Sequence, residues 1–468
     1  MNHPDQYRNQ EVVILGMARS GQAVARVFQQ YGAQVVINDR KPRSECPEAD
    51  DLEAQGIKVL CGGHPDDLIS AQTALVVKNP GIPYEVEPVQ RALQLGIEVV
   101  TEVEVAGFLT EAPMIGITGS NGKTTTTTWI GQMLRQAGKQ PIVAGNIGTP
   151  LCEAAQQATD DQWIVAELSS FQLKGTHDFH PKVAILLNLY ETHLDYHHTW
   201  DDYKQSKEKL FANQTDEDIA ILNQDAGFSG EWIEGLRGQV VWFSSTSEVP
   251  HGMWIDHSGQ EPMVVYRDQE GTDHTVVEVS RIGLKGAHNL ENALAASCAA
   301  LSIGVSIPVI REELVSFSGV EHRQERVTTK QGVTFYNDSK ATNPTSTIKA
   351  IEAFDEPVIL IAGGLDRGSD YMELLPYFRD KLKGIVALGQ TRHKLEAVAA
   401  QAGLPLVKLV DNDRKENVKE ALEQAVGLAF EMASDGDVIL LSPACASWDM
   451  FATYEQRGRI FKDAVHNL

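Results

Sequence analysis

The chain alternates short apolar runs with longer segments whose apolar positions have helical spacing. Residues 11–16 and 35–39 have the apolar pattern of buried strands, and residues 22–31 between them have the period of an amphipathic helix. This alternation continues along the chain and predicts an α/β fold, in which helices cover parallel sheets. Further strands are predicted at 74–77, 98–100, 113–115, 142–144, 163–166, 182–189, 334–338, 358–362, 385–388 and 438–441.

The alternation groups into three α/β units, and a chain of 468 residues is long enough for several domains. We expect a Rossmann-like N-terminal domain over residues 1–101, a central domain over residues 102–319 and a Rossmann-like C-terminal domain over residues 320–468. In each unit, polar and charged residues follow the predicted strands, at the sheet edge where open α/β folds bind ligands. Residues 227–280 are strand-like and turn-rich, and they indicate no chemistry.

Composition and charge exclude several classes of function. Hydrophobic residues make up 42% and charged residues 22%, which is ordinary for a globular protein with large cores. The net charge of −24 would repel nucleic acid and anionic membranes, so neither is expected as a partner. No apolar run approaches the roughly 20 residues that span a bilayer, and the polar residues 1–10 are unlike a signal peptide, so we expect a cytoplasmic protein. The five cysteines form no CxxC pair, so no zinc site or disulfide framework is predicted.

A glycine-rich turn at residues 116–124 (GITGSNGKT) lies between an apolar run and a helical segment. Its glycines would let backbone N–H groups point at an anion, and the helix N-terminus would add its positive dipole end. Lys123 would neutralise the outer phosphates of a nucleotide, and Thr124 would offer a hydroxyl to Mg²⁺. The strict phosphate-loop pattern has glycine where Ile117 stands, so an ordinary strand–helix turn is the alternative. We interpret the stretch as the nucleoside triphosphate site of a central P-loop domain.

The first strand–helix turn, residues 16–21 (GMARSG), has the pattern G-x-A-x-x-G, and Asp39 ends the second predicted strand. The dinucleotide fingerprint has glycine where Ala18 stands, which weakens an assignment to NAD. Three interpretations remain open: a bound NAD, another nucleotide with Asp39 near its uridine or ribose, and a turn without a ligand.

Other polar residues are candidates for metal and base binding. Glu167 ends a predicted buried strand, from which it could reach a Mg²⁺ held by Thr124; a surface position is the alternative. The His/acid cluster at residues 191–198 could bind metal, but its spacing does not select the ligands. Asn289 and Asn292 share one helix face and could contact an adenine edge, whereas helix capping is the alternative for Asn289.

Two further residues have ordinary interpretations from their patterns alone. Lys207 lies on an amphipathic helix predicted at residues 203–211, and such a lysine usually lies on the solvated face. Cys445 lies in the run SPACAS and could be a nucleophile, but a small buried residue is the favoured interpretation.

The chain contains several motifs whose residues and order resemble those of one known family. They are TGSNGKT (118–124), ELSSFQ (167–172), HNLEN (288–292), HR (322–323), DSKATN (338–343), LSPACAS (441–447) and EQRG (455–458). With these motifs the chain resembles the Mur ligases of bacterial cell-wall synthesis over essentially its whole length. The phosphate loops of that family read Thr-Gly-x-Asn-Gly-Lys, which accounts for Ile117.

The resemblance implies an ATP-dependent ligase that joins D-glutamate to UDP-N-acetylmuramoyl-L-alanine in peptidoglycan precursor synthesis. ATP would phosphorylate the alanine carboxylate, and the amine of D-glutamate would attack the acyl phosphate. The resemblance also implies two Mg²⁺ ions, a carbamylated Lys207 and small-molecule substrates as the only partners; we expect a monomer.

The residue roles that the resemblance implies fall into four groups. For ATP they are Gly119, Ser120, Asn121, Gly122, Lys123, Thr124, Thr125, Asn289, Asn292, Arg323, Asp338 and Asp366. For the UDP substrate they are Arg19, Ser20, Asp39, Arg40, Gly81, Asn146 and His193. For the amino acid they are Lys340, Thr342, Arg367, Ser447 and Tyr454. Thr124, Glu167, His193 and Lys207 would bind metal, and Lys123, Glu167, His193 and Lys207 would be catalytic.

The chain departs from the family pattern at two positions, and three alternative functions are weighed against this ligase. The family often has Lys near Arg367 and Phe near Tyr454. A ligase that adds another amino acid is one alternative, although Lys340 and Ser447 favour an acidic one. The N-terminal nucleotide-type unit argues against a ligase that extends folate. A regulator that binds nucleotide without catalysis is opposed by the intact set Lys123, Glu167, His193, Lys207 and Arg323.

Overall fold

The protein is described here by a computed structural model over residues 1–228, 230–284, 286–411, 417–447 and 450–468. Its described residues form two compact units, Met1–Phe317 and Ser318–Leu468. The first unit contains two β-sheets and the second contains one. Among the described residues, no helix combines the length and apolar character that crossing a membrane requires.

The first sheet is parallel and has helices on its faces. Its strands are β1 (Glu11–Leu15), β2 (Gln34–Asp39), β3 (Lys58–Cys61), β4 (Thr73–Lys78) and β5 (Val99–Val100), and its helices are α1 (Arg19–Gln30), α2 (Ala49–Ala54) and α3 (Glu87–Gln94). The strand order is β3-β2-β1-β4-β5. Val12, Val13 and Ile14 are fully buried, as expected for a parallel strand covered on both faces.

Gly21 explains the glycine pattern of the first turn. A Cβ at this position would lie 2.0 Å from the carbonyl oxygen of Gly16, so only glycine lets α1 pack this closely against the end of β1. The predicted strand–helix–strand opening is confirmed.

The second sheet follows α4 (Glu102–Gly107) and completes the first unit. Its strands are β6 (Met114–Thr118), β7 (Ile142–Gly145), β8 (Ile164–Glu167), β9 (Val183–Leu186), β10 (Ile219–Asn223), β11 (Gln239–Ser244), β12 (Gly252–Asp256), β13 (Met263–Arg267) and β14 (Asp273–Glu278). Its helices are α5 (Lys123–Gln136), α6 (Leu151–Gln157), α7 (Ser170–Lys174), α8 (Leu194–His197), α9 (Trp200–Glu208), α10 (Gly230–Glu234), α11 (Ala287–Ser302) and α12 (Ile307–Ser316). The order is β14-β13-β12-β11-β10-β9-β6-β8-β7, with β6 between β8 and β9.

Two predicted segments of this region differ from the structure. The strand predicted at 182–189 is shorter, because β9 ends at Leu186 and the residues after it bond to the glycine-rich loop, where the Ser120 N–H donates to the carbonyl oxygen of Asn188 (3.0 Å). The helix predicted at 203–211 is α9, which begins earlier because the Thr199 hydroxyl caps it by accepting from Asp202 N.

The second unit contains the third sheet. Its strands are β15 (Glu325–Lys330), β16 (Val333–Asn337), β17 (Val358–Ala362), β18 (Leu382–Ala387), β19 (Leu406–Leu409) and β20 (Val438–Leu441), and its helices are α13 (Pro344–Glu352), α14 (Leu375–Lys381), α15 (Arg392–Gln401), α16 (Val418–Met432) and α17 (Tyr454–His466). The order is β15-β16-β20-β17-β18-β19, parallel except for the β15–β16 pair. The predicted α/β alternation is therefore confirmed in all three sheets.

Candidate active site

The glycine-rich loop joins the end of β6 to the start of α5. Gly122 caps α5 with φ +85°, and a Cβ there would lie 2.1 Å from Oδ1 of Asn292. The Lys123 ammonium folds back over the loop and donates to the carbonyl oxygens of Gly119 (2.7 Å) and Ser120 (3.1 Å). The strand, turn and helix therefore have the arrangement that a phosphate-binding loop requires.

We expect Gly122→Ala to weaken ATP binding at least roughly tenfold, because a side chain at positive φ is strained and this Cβ also collides with Asn292. Gly138→Ala is the matched control, since its φ of +75° is similar but its Cβ would meet no described atom within 4 Å. Titration calorimetry with an ATP analogue measures both variants. Equal affinities for the two variants would show that the close approach of Asn292 has no role.

Asn188 and Tyr203 hold the loop from outside, and sequence reasoning missed both. Asn188 follows β9 and accepts from the backbone N–H groups of Ser120 (carbonyl oxygen, 3.0 Å) and Asn121 (Oδ1, 2.9 Å). The hydroxyls of Ser120 and Tyr203 are hydrogen-bonded at 2.7 Å. The sequence signal that could have identified Asn188 was its position shortly after β9, the strand that pairs with β6.

Helix α11 brings its two asparagines to the first turn of α5. The Thr126 hydroxyl donates to Oδ1 of Asn292 (3.4 Å), and Nδ2 of Asn292 donates to Oδ1 of Asn289 (3.3 Å). Gly286 is the N-cap residue of α11, so the capping interpretation of Asn289 is wrong. Both side chains are buried beside the loop, where a nucleotide base or ribose would find hydrogen-bonding groups.

Lys207 is buried, and the prediction of a solvated side chain is wrong. Only 1% of the residue is exposed, and its ammonium donates to the carbonyl oxygen of Gly119 (2.9 Å) and lies 4.8 Å from the ring centre of Tyr203. The pattern failed because the face of α9 that bears Tyr203 and Lys207 turns inward, although its residues are polar. Burial, with a smaller contribution from Lys123, holds the pKa of Lys207 well below its usual range.

Glu167 has one buried oxygen without a hydrogen bond, so the surface interpretation is wrong. The residue ends β8 beside Ile117 of β6, and Oε1 accepts from Nδ2 of Asn146 (2.8 Å). Oε2 accepts no hydrogen bond from the described residues. A buried carboxylate oxygen in this state is unfavourable unless a cation binds it, so the residue fits a divalent metal.

No group of three His, Cys, Asp or Glu side chains in the described ranges forms a metal cluster. Mg²⁺ is typically bound by one or two carboxylates together with substrate phosphates and water. Glu167 and the buried Thr124 at the start of α5 therefore fit a Mg²⁺ that a nucleotide would share, rather than an all-protein metal site.

The three histidines of the cluster at residues 191–198 have different surroundings. His193 is exposed at the start of α8 with φ +57°, and its ring lies edge-on to Phe171 at 5.1 Å. His197 is buried between Asp202 (2.8 Å) and Ser170 (3.0 Å), and His198 pairs with Glu85 (3.0 Å). His193 and His198 are therefore the exposed members of the cluster, and His197 is the buried one.

The carboxyl ends of β1, β2 and β4 bring several of the predicted UDP-substrate residues together. The Asp39 carboxylate accepts from the backbone N–H of Met17 (2.9 Å), so it caps the first turn. Asn79 donates from Nδ2 to the Ser20 hydroxyl (3.2 Å) and accepts from the Gly81 N–H (3.2 Å). Arg19 and Arg40 are exposed beside this turn, whereas Asn146 lies at the end of β7 against Glu167.

In the second unit, Asp338 follows β16 and is almost fully buried. Burial raises the pKa of its carboxyl group to about 7. Oδ2 accepts from the Ser442 hydroxyl (2.8 Å), which follows β20, and the nearby Lys340 N–H donates to the carbonyl oxygen of His322 (3.0 Å). Asp338 therefore lies where two strand ends and the His322–Arg323 segment meet.

Arg457 organises the loops of this unit, and its role was missed. The residue is 2% exposed, and its guanidinium donates to the Ser339 carbonyl oxygen (2.8 Å) and hydroxyl (3.0 Å) and to the carbonyl oxygen of Cys445 (3.2 Å). The Cys445 thiol is buried against the Tyr371 hydroxyl (3.2 Å), which supports a structural thiol.

The remaining predicted residues of the second unit lie on its loops. Asp366 pairs with Lys394 (2.8 Å), which holds the pKa of its carboxyl group below the usual value. Arg367 is exposed, Thr342 is half-buried, and Ser447 is buried. Tyr454 begins α17, and its carbonyl oxygen accepts from the Ser339 hydroxyl (2.8 Å).

Three protein-family models match the chain in order. They are described as "Mur ligase MurD-like, N-terminal domain" (residues 10–101), "Mur ligase middle domain" (117–300) and "Mur ligase, glutamate ligase domain" (322–445). The chain belongs to the Mur ligase family. Mur ligases are ATP-dependent enzymes of peptidoglycan precursor synthesis, so the predicted family and enzyme class are confirmed.

Curated members of the family are similar over nearly the full length. The UDP-N-acetylmuramoylalanine–D-glutamate ligase of Geobacillus sp. (strain WCH70) is 48% identical over 463 residues, which cover 99% of this chain and 98% of the relative. The enzyme of the same name from Bacillus subtilis (strain 168) is 46% identical over 466 residues and 99% of both chains.

Solved structures of Mur ligases confirm the three-domain fold. MurF from Acinetobacter baumannii has a TM-score of 0.56 at 17% identity, covering 100% of this chain and 93% of that one. The UDP-N-acetylmuramate-alanine ligase MurC from Thermotoga maritima has a TM-score of 0.54 at 18% identity, covering 98% of this chain and 99% of that one.

Proposed function

We propose that this Mur ligase joins D-glutamate to UDP-N-acetylmuramoyl-L-alanine in the cytoplasm. One observation carries the proposal: the ammonium groups of Lys123 and Lys207 converge on the carbonyl oxygen of Gly119. Glu167, whose Oε2 accepts no hydrogen bond from the part of the chain that the structure describes, ends the strand next to this loop. Two lysine side chains and a carboxylate that fits a metal, all at a phosphate loop, support phosphoryl transfer from ATP, and the names of relatives at 46–48% identity support the substrates.

In the first step, a carboxylate oxygen of UDP-N-acetylmuramoyl-L-alanine attacks the γ-phosphorus of ATP. A P–O bond forms, the bond to the β-phosphate oxygen breaks, and ADP leaves. The residues of the loop have little covalent chemistry to perform, because this transfer depends on alignment and charge neutralisation. Lys123 supplies charge to the transferred phosphoryl group, and the loop N–H groups orient the phosphates. The resulting acyl phosphate has the leaving group that a free carboxylate lacks.

We assign Thr124 and Glu167 to one Mg²⁺, and His193 and a carbamylated Lys207 to a second. Bound Mg²⁺ neutralises the phosphate charge and polarises the transferred group. The Lys207 carbamate would form when its neutral amine attacks CO₂ with loss of a proton, and the lowered pKa of Lys207 favours the neutral amine. The carbamate converts a buried cation into an anion with oxygen ligands, which hard divalent metals prefer.

In the second step, the amine of D-glutamate attacks the acyl carbon. The C–N bond forms, the C–O bond to phosphate breaks, and inorganic phosphate leaves with the amine proton lost to solvent. We assign the amino acid to Lys340, Thr342, Arg367, Ser447 and Tyr454, since cationic and hydroxyl groups complement two carboxylates. Arg323, Asp338 and Asp366 stay proposed contacts of ATP, and residues near 101 and 319 stay the proposed domain boundaries.

Phosphate release tests the proposal against its alternatives. We expect release only when ATP, UDP-N-acetylmuramoyl-L-alanine and D-glutamate are all present. L-Glutamate, D-aspartate and meso-diaminopimelate in place of D-glutamate test other amino acid ligases, and a reduced pteroate tests a folate ligase. Release that is supported equally by another amino acid, or that does not need the UDP substrate, would overturn the assignment.

Glu167→Gln is expected to raise the Mg²⁺ concentration for half-maximal turnover roughly tenfold or more, because an amide lacks the negative charge that holds the metal. The exposed Glu111 provides the control Glu111→Gln, which makes the same change away from the proposed metal ligands. Calorimetric titration of Mg²⁺ with a non-hydrolysable ATP analogue gives a readout without turnover. An unchanged Mg²⁺ dependence in Glu167→Gln would remove Glu167 from the metal site.

A further inference from the structure

Lys78 is a buried lysine that the proposed mechanism does not use. It ends β4 and is 1% exposed. Its ammonium donates to the carbonyl oxygen of Ile82 (2.9 Å), to the carbonyl oxygen of Pro80 (3.3 Å) and to the hydroxyl of Tyr196 (2.9 Å). Removing an ammonium group from water is unfavourable unless hydrogen bonds replace the lost hydration. Here those bonds all go to the loop after β4 and to one tyrosine.

Tyr196 connects this loop to the segment that presents His193. It lies in α8, which begins directly after His193, and its hydroxyl donates to the carbonyl oxygen of Pro80 (3.0 Å). The hydroxyl therefore accepts from Lys78 and donates to the loop, which closes the hydrogen-bond network. The ring of Phe171 packs edge-on against both Tyr196 (4.5 Å) and His193 (5.1 Å), so a shift of the tyrosine would be transmitted to the histidine.

The opposite side of the loop reaches the first turn of the chain. Asn79 donates from its backbone N–H to Leu15 (2.7 Å) and from its side chain to Ser20 (3.2 Å), and it accepts from the N–H of Gly81 (3.2 Å). Ser20, Gly81 and His193 are three of the proposed UDP-substrate residues. One continuous network of hydrogen bonds and ring contacts thus joins all three, with Lys78 at its centre.

We propose that Lys78 is a positioning residue for the UDP substrate, acting through Tyr196 and the carbonyl groups of Pro80 and Ile82. It fixes the loop at residues 79–82 relative to His193, and so sets the distance between two parts of the substrate site. The inference rests on the proposed function, because it assigns Ser20, Gly81 and His193 to that substrate. Lys78 itself touches none of the reacting atoms.

Two substitutions test this role by different routes. Tyr196→Phe removes only the hydroxyl and keeps the ring that packs on Phe171, whereas Lys78→Met replaces the ammonium with an apolar group of similar length. Tyr84→Phe is the matched control, since the Tyr84 ring faces the same ammonium at 4.6 Å and keeps that contact in the variant. Michaelis constants for the UDP substrate, ATP and D-glutamate are measured for each variant, and thermal melting shows that each is folded.

We expect Tyr196→Phe and Lys78→Met to raise the KM for the UDP substrate roughly tenfold or more, the loss typical of a charge-assisted hydrogen bond. The KM for ATP should rise less than the KM for the UDP substrate, because the hydrogen bonds of Lys78 go to the loop after β4 and to Tyr196, whereas the phosphate loop is reached through the ring contacts of Tyr196, His197 and Tyr203. The double variant should be little worse than Lys78→Met alone, since both changes break one network. Tyr84→Phe should resemble the wild-type protein.

Two results would overturn the inference: an unchanged KM for the UDP substrate in folded Tyr196→Phe, or an equal rise in all three Michaelis constants, which indicates a general loss of structure. Failure of the proposed function looks different, because the wild-type protein itself would then show no release of phosphate that depends on D-glutamate and the UDP substrate together.

Discussion

Lys207→Ala is expected to reduce turnover by about 10² or more, although the protein stays folded, because the proposed carbamate and its metal-binding oxygens disappear. Lys207→Arg should be equally inactive, since a guanidinium keeps the positive charge but forms no carbamate. The buried ammonium group lies against Gly119 in the phosphate loop. A fixed positive charge there would repel a second Mg²⁺. Phosphate release at saturating substrates measures both variants.

A short carboxylic acid distinguishes a lost carbamate from lost packing. Acetate or formate should restore part of the activity of Lys207→Ala, because the cavity left by the side chain can hold a carboxylate in place of the carbamate. It should not rescue Lys207→Arg, which leaves no cavity. Lys204→Ala is the control, as Lys204 lies on the same helix and pairs with Glu208 (3.5 Å). Wild-type activity in Lys207→Arg would contradict the carbamate role.

Lys123→Ala is expected to lower kcat by about 10²–10³, the loss typical when one electrostatic stabiliser of a transition state is removed. Lys123 is the first residue of α5, and its side chain lies over the loop carbonyl groups. ATP binding, measured by calorimetry, should weaken less than turnover, because the charge of Lys123 acts most strongly on the transferred group. 

Lys139→Ala is the matched control for this variant, since Lys139 lies just beyond the opposite end of α5. Its turnover should equal that of the wild-type protein. Full turnover by a folded Lys123→Ala protein would remove the phosphate assignment of the loop.

The sheets and the phosphate loop were predictable from sequence because their signals are local. Strands β1 and β6 are buried on both faces, so each is a continuous apolar run. Gly122 needs a positive φ and a close approach, which only glycine combines, and the neighbouring Lys123 and Thr124 follow in sequence. These features depend on residues within one turn of the chain.

The burial of polar side chains was not predictable, because their partners are distant in sequence. Lys207 has the polarity of a surface residue, and only its bonds to Thr118 and Gly119 explain why it lies inside. The buried Lys78 donates a hydrogen bond to Tyr196, and the buried Arg457 donates one to Ser339, so each has a partner more than 100 residues away. A helical pattern assigns faces by polarity, so it misplaces a charged residue whose hydrogen bonds are satisfied within the fold.

The order of the motifs along the chain indicated residue roles that single positions could not indicate. From sequence alone, capping was the ordinary interpretation of Asn289, and it is the packing of Asn289 and Asn292 beside α5 that connects both residues to the loop. The family resemblance placed them with the nucleotide, although no spacing rule joins a helix at residue 287 to a loop at residue 118. Contacts between such segments are fixed by the order of strands in the sheet, which sequence periodicity does not determine.

The central claim is that the UDP substrate's carboxylate becomes an acyl phosphate. Oxygen transfer tests it most directly, with UDP-N-acetylmuramoyl-L-alanine in which both oxygens of the alanine carboxylate are heavy oxygen. After turnover with ATP and D-glutamate, mass spectrometry of the released phosphate should find one heavy oxygen in each phosphate, because the C–O bond breaks when the amine attacks. Phosphate without heavy oxygen, formed at the same rate as the amide product, would contradict the account.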